Sequence, residues 1–192
     1  MTISERIELD VACLKEYFRK LFSMAESVPP FEGAPQIGDE YPELFTNHSV
    51  AAFVRPDMAC NIYSLVDFWL AELCRFHKQN GSLTIAHKDI KGSSDLDAYH
   101  KYLTMVALLD LQVALPSLNH LHYLRKVRNF LIHGGGHVQK ERHAEINNIS
   151  GVSIHGSLLL INDAFVWDSL DHARTYLCAV ANSRSASGGF RA

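Results

Sequence analysis

Between Leu118 and His143 the chain gathers five basic side chains (Arg125, Lys126, Arg128, Lys140, Arg142) against one acid, Glu141, a local +4 within a chain of net charge -3. Five of its 11 histidines (His120, His122, His133, His137, His143) fall in the same stretch. Such a concentration suits an anionic ligand better than a core element. If the stretch is helical, at ~100° per residue His122, Lys126, Asn129 and His133 lie within ~60° of one another, opposite Leu124, Val127 and Leu131. His133 therefore faces away from the core. Arg128 falls on the flank of the apolar stripe, where its stem can be buried while its guanidinium emerges at the edge.

Other reactive residues make weaker patterns. His137 follows His133 by four, the spacing of a helical metal-ligand pair, but Gly134-Gly135-Gly136 break the helix that would align them. No third ligand is recognisable from spacing, so neither a metal nor a cofactor is expected. The three glycines read as a helix stop before they read as a phosphate nest. Asp67 and Glu72 lie off the apolar stripe of their helix and read as solvated carboxylates. Trp69, Phe68 and Tyr63 read as core. Cys13, Cys60, Cys74 and Cys178 are widely scattered, without a C-x-x-C pair, and read as small buried thiols.

The elements that must position these groups are helical. Ile7, Val11, Leu14, Phe18, Leu21 and Ala25 step by four and three, predicting a helix from about Ile3 to Ala25 that Pro29-Pro30 stop. Ser27 to Asn47 reads as a long surface loop. Pro56 suits a first helical position, and Gly81 a stop. Between them Met58, Ile62, Leu65, Trp69, Leu73 and Phe76 make one stripe. Ser94-Asp95 predicts the cap of a third helix whose core face runs Leu96, Tyr99, Leu103, Val106, Leu109, Val113. Pro116 either kinks that helix or opens a fourth, which ends near His133. Val152 to Ile161, turning at Gly156-Ser157, predicts a small β-hairpin. A last helix carries Val166, Leu170, Ala173, Leu177 and Val180. The expected fold is all-α, a bundle of four to five helices with one hairpin near the C-terminus: a single domain over 1–182, then a disordered tail over 183–192.

At 192 residues and 47% hydrophobic content, such a domain can build its core without disulfides. A pI near 6.4 excludes a generally basic nucleic-acid coat while leaving room for a local patch. No apolar run approaches the ~20 residues that cross a bilayer. The start, Met1-Thr2-Ile3-Ser4-Glu5-Arg6, lacks the apolar core of a signal peptide. A soluble, cytoplasmic protein with no membrane partner is the expectation.

Arg128-Asn129-Phe130-Leu131-Ile132-His133 reads R-N-x-x-x-H at the end of the fourth helix. It resembles the signature of the HEPN superfamily: Arg, four to six residues, then His, often with a polar residue directly after the Arg. The stretch Tyr63-Ser64-Leu65-Val66-Asp67-Phe68-Trp69-Leu70 resembles that family's long helix with its internal acidic position, and Asp89-Ile90-Lys91-Gly92 a turn of one branch. The likeness covers roughly residues 50 to 180, and only R-N-x-x-x-H is diagnostic.

The resemblance implies a metal-independent endoribonuclease in a toxin, stress or defence role. RNA carries its own nucleophile, the 2′-hydroxyl, so the protein need only move protons and stabilise charge on the phosphoryl oxygens. His133 would transfer the proton, and Arg128 would clamp the transition state with its planar fork. Asn129 would orient the phosphate or the histidine. Lys126, His122 and Arg125 would contact RNA phosphates, and Asp67 would match the acidic position. The product would be a 2′,3′-cyclic phosphate. Arg128 and His133, five apart, diverge by ~140° on an ideal helix. Bringing both to one phosphate then calls for a helix distorted near the glycines or a two-fold dimer with a composite site. A homodimer is the expected form, with an inhibitory antitoxin or regulatory partner a further implication. The alternative is the same fold as a non-catalytic nucleotide- or RNA-binding or protein-interaction module.

Overall fold

A computed structural model describes residues 1–27 and 53–183. The expected loop over Ser27–Asn47 and the expected tail lie, but for Ser27 and Ser183, outside the described residues. Helix α1 spans Ile3–Ser27, α2 Arg55–Asn80 and α3 Asp95–Lys101, which runs on as a π-helical turn over Tyr102–Val106. Helix α4 spans Leu115–Gly134 and α5 His143–Asn147; strands β1 Val152–His155 and β2 Leu158–Ile161 precede α6, Asp163–Asn182. Among the described residues the chain is mainly helical with one antiparallel hairpin, paired Val152 to Ile161 through His155 to Leu158. The five-residue α5 is an addition to the expected bundle.

Helix α6 is the hub, packing against α1, α2 and α4, while α2 also packs on α4. Phe165, Val166, Leu170, Ala173, Tyr176, Leu177 and Val180 are buried along one arc of about 140° of this helix, and the other three helices pack around it. Its start is capped by Asn162, whose Oδ1 accepts from the Phe165 amide at 2.9 Å. Trp69 of α2 is buried, and its indole N–H donates to Asp10 of α1 at 3.0 Å, so the largest core side chain is also polar-satisfied.

Three expectations on packing are corrected. The third helix stops at Val106 and does not continue to Val113: Leu108 takes a positive φ of 55° and Val113 is 89% exposed. The apolar period there reads on through a break because Leu109 and Leu111 are buried from an irregular connection. Phe68 is 51% exposed, since Trp69 and Leu70 already occupy the core side of α2 at that turn. Of the cysteines only Cys74 is buried; Cys13 is exposed and Cys60 and Cys178 are intermediate, all as free thiols.

Pro116 stands in the first turn of helix α4, where its missing N–H costs no helix bond. Leu118, Leu121, Leu124, Val127 and Phe130 are the helix's buried apolar residues. Steps of three precess by about 60° each, so this stripe spirals around the helix toward its C-terminus. Gly135 ends α4 in the left-handed region at φ 56°, and its amide returns to the Phe130 carbonyl. Gly136 to Val138 then lies along the hairpin: Val138 N–H donates to Ser157 O and Leu159 N–H to Gly136 O, both at 2.8 Å. The hairpin thus pins the chain that leaves the basic helix end.

Candidate functional site

A groove of 570 Å³ opens between the last three turns of α4, the middle of α2 and the start of α3. Arg125, Arg128, Asn129 and His133 line it from α4, facing Tyr63 and Asp67 of α2. The spiral of the buried stripe explains how residues five apart share it. On the wheel Arg125 and Asn129 fall in the ~140° between Arg128 and His133, so the four cover one continuous non-buried face. Helix α4 stays α-helical through Gly134. Arg128 and His133 thus line one groove within a single chain.

Arg128 is half-buried and held from two sides. Its Nη1 donates to Asn129 Oδ1 at 3.1 Å, and its guanidinium carbon lies 5.8 Å from the centre of the Tyr63 ring. Tyr63, read as core from sequence, packs on the core with one side and underlies Arg128 with the other. Burial pushes the Tyr63 hydroxyl up to about 12 against the opposing pull of Arg125, so it remains a neutral donor. His133 is exposed on the last turn and takes no part in the core. Asp67 is exposed too, but it lines the groove opposite Arg128. Burial, reinforced by the Asp67 carboxylate, pushes Tyr99 up to about 12.

Two of the sequence-derived phosphate contacts separate here. His122 joins neither this groove nor the cleft beside it; its Nε2 lies 3.3 Å from Asp97 on α3. Burial lowers its pKa against the pull of Asp97. Asp97 itself is desolvated, yet hydrogen bonds from Ser93 and Ser94 and the charge of His122 hold its carboxyl below the usual range. Lys126 turns the other way, into a second cleft of 480 Å³ shared with His137 and Arg142. Arg125, Asn129 and His133 line both cavities and form the ridge between them.

No family model, curated protein or solved structure matches this chain. Its chemistry must be read from its own residues.

His137 Nδ1 bonds with Ser157 Oγ at 2.9 Å, at the turn of the hairpin. Among the described residues no three His, Cys, Asp or Glu side chains cluster as a metal site would. Tyr63, Gln139 and Arg142 are site residues that the motif did not point to. Arg142 was visible only as part of the local charge excess, and Tyr63 only as the residue one turn before Asp67 on α2.

Proposed function

We propose that this protein is a metal-independent endoribonuclease of the HEPN kind, acting at the groove between α4 and α2. The observation that carries the reading is that one groove presents Arg128, Asn129 and His133 together, beside Arg125 and opposite a neutral Tyr63. In this reading a phosphodiester enters with its bridging oxygens toward His133. The imidazole takes the proton of the 2′-hydroxyl as that oxygen bonds to phosphorus. The bond from phosphorus to the 5′-oxygen breaks, and the leaving oxygen takes a proton from the imidazolium or from water. Arg128, fixed by Asn129 and Tyr63, offers two N–H groups to the equatorial oxygens as their charge grows, with Arg125 adding a second cation. The fragments carry a 2′,3′-cyclic phosphate and a 5′-hydroxyl.

No helix among the described residues is long and apolar enough to cross a membrane. The reading includes a cytoplasmic setting, a role in toxin, stress or defence action, a homodimer and an inhibitory protein partner. Each protomer carries its own groove.

Single-stranded RNA incubated with the protein in excess EDTA tests the reaction. Cleavage with cyclic phosphate ends is expected, along with resistance of a substrate carrying a single 2′-deoxy sugar at the scissile position. Cleavage that needs added magnesium or manganese, or that ignores the 2′-deoxy substitution, would sink the mechanism. Tight RNA binding with no cleavage would transfer the assignment to the binding-module reading.

A further inference from the structure

The second cleft shares Arg125, Asn129 and His133 with the catalytic groove and adds cations that the groove lacks. Its 480 Å³ are walled by Lys126 and Arg125 on α4 and by His137, Gln139 and Arg142 on the segment pinned to the hairpin. No carboxylate is among its lining residues. Arg142 is aimed by the Phe130 ring, whose centre lies 4.5 Å from its guanidinium carbon. Arg125 Nε is buried without a hydrogen-bond partner. Two of the cations are already converged on one anionic oxygen. Glu145 Oε2 accepts from Arg142 Nη2 at 3.2 Å and lies 3.4 Å from Lys126 Nζ. These two cations hold the Glu145 carboxyl below its ordinary range. Glu145 is the first-turn acid of the short α5, at 44% side-chain exposure.

We propose that this cleft is a second phosphate subsite for single-stranded RNA, whose Lys126 and Arg142 are engaged from outside its lining by the Glu145 carboxylate, which competes with a phosphate for them. The chain then crosses the ridge of Arg125, Asn129 and His133, with the scissile phosphate in one groove and a neighbouring phosphate between Lys126 and Arg142. This rests on the ribonuclease reading for its substrate. The consequence is a preference for oligonucleotides over dinucleotides, because a dinucleoside monophosphate has only one phosphate to give. It also sets the sign of an unusual substitution: removing an acid outside the catalytic groove strengthens RNA binding.

The test is fluorescence anisotropy of the full chain with a labelled, 2′-O-methylated single strand that cannot be cleaved, over a salt series. Glu145→Gln is expected to bind about three- to tenfold tighter at low salt, with a salt slope steeper by about 0.7 for one additional phosphate contact. Lys126→Ala and Arg142→Ala are each expected to bind several-fold weaker and to flatten the slope. Melting curves verify folding, and Lys126→Arg, which keeps the charge, is expected to keep the affinity. On a cleavable oligonucleotide, Lys126→Ala raises KM and leaves kcat nearly unchanged. Glu145→Gln binding no tighter than the parent, or absence of RNA binding in every variant and the parent, would overturn the subsite. Cleavage failing in all variants while the binding order holds would overturn the ribonuclease reading and leave the subsite standing.

Discussion

Histidine 120 gives the protein an acid weakness that can be worked out from its surroundings. Its ring in α4 stacks on His172 of α6, with centroids 4.4 Å apart and planes at 25°. His120 Nε2 bonds with Ser169 Oγ at 2.9 Å, and His172 Nδ1 with Ser117 Oγ at 3.1 Å. Burial, then the charge of His172, lower the His120 pKa to about 4, with Asp168 opposing. In the unfolded chain the ring titrates near its ordinary value of about 6.5. The unfolded state therefore binds the proton more readily, so stability is complete above that value and falls as pH drops toward 4. The gap is worth about 3 kcal/mol between the protonation states, and solvent at the part-exposed ring edge screens it to about 1–2 kcal/mol. About 1 kcal/mol of this is lost between pH 7 and pH 5. Burial also lowers His77 and His100, so the parent's loss exceeds the share of His120 alone. Urea unfolding at pH 7 and pH 5, followed by tryptophan fluorescence, should show His120→Gln losing about 1 kcal/mol less than the parent over that interval. An equal loss in both proteins would refute the argument, because His120 would then carry its proton equally in the folded and unfolded states.

His133→Ala is expected to abolish RNA cleavage with RNA affinity within a few fold, whereas Arg128→Ala weakens both; paired binding and cleavage assays on folded protein decide it. Normal cleavage by His133→Ala would end the catalytic assignment. Since one groove holds both residues, co-purified Arg128→Ala and His133→Ala subunits should be as inactive as either alone; recovered activity would mean a composite two-fold site. Gly151→Ala should destabilise the fold by about 2–3 kcal/mol in chemical denaturation, as its φ is 78° and an added Cβ would lie 2.6 Å from the Asn162 Oδ1 that caps α6.

Most of the bundle was legible because its helices carry their own boundaries. Pro56, Pro116, Ser94 and the glycines after His133 act through local backbone chemistry, which needs no knowledge of partners. The hairpin was legible for the same reason, through Gly156 at φ 62°. The early end of α3 was not, since Leu109 and Leu111 reach the core from a connection whose spacing mimics a helix. Histidine roles were the least legible. His77 is buried with its Nε2 3.1 Å from the Val180 carbonyl, and His100 Nδ1 lies 2.8 Å from the Tyr176 hydroxyl. Both bonds join residues more than 70 positions apart, so no local pattern carries them.

The candidate site divides along the same line. Which face of α4 is free of the core followed from periodicity, so the outward placement of His133 and the flank position of Arg128 could be read directly. What that face meets could not. The ~140° between Arg128 and His133 does not keep them from lining one groove. A groove wall is not a line along a helix but an arc, and Arg125 and Asn129 fill the arc between the two residues. Tyr63 supplies the opposing surface from a helix more than 60 residues earlier. The same arc reasoning accounts for the second cleft, since Lys126 and His133 lie close on the wheel while Arg142 returns to them only because the hairpin holds Gly136 to Val138. Charge excess in a sequence says that an anion is wanted. How those cations are divided between two cavities depends on where the chain turns back, here at Gly135 and Gly136 beside the motif.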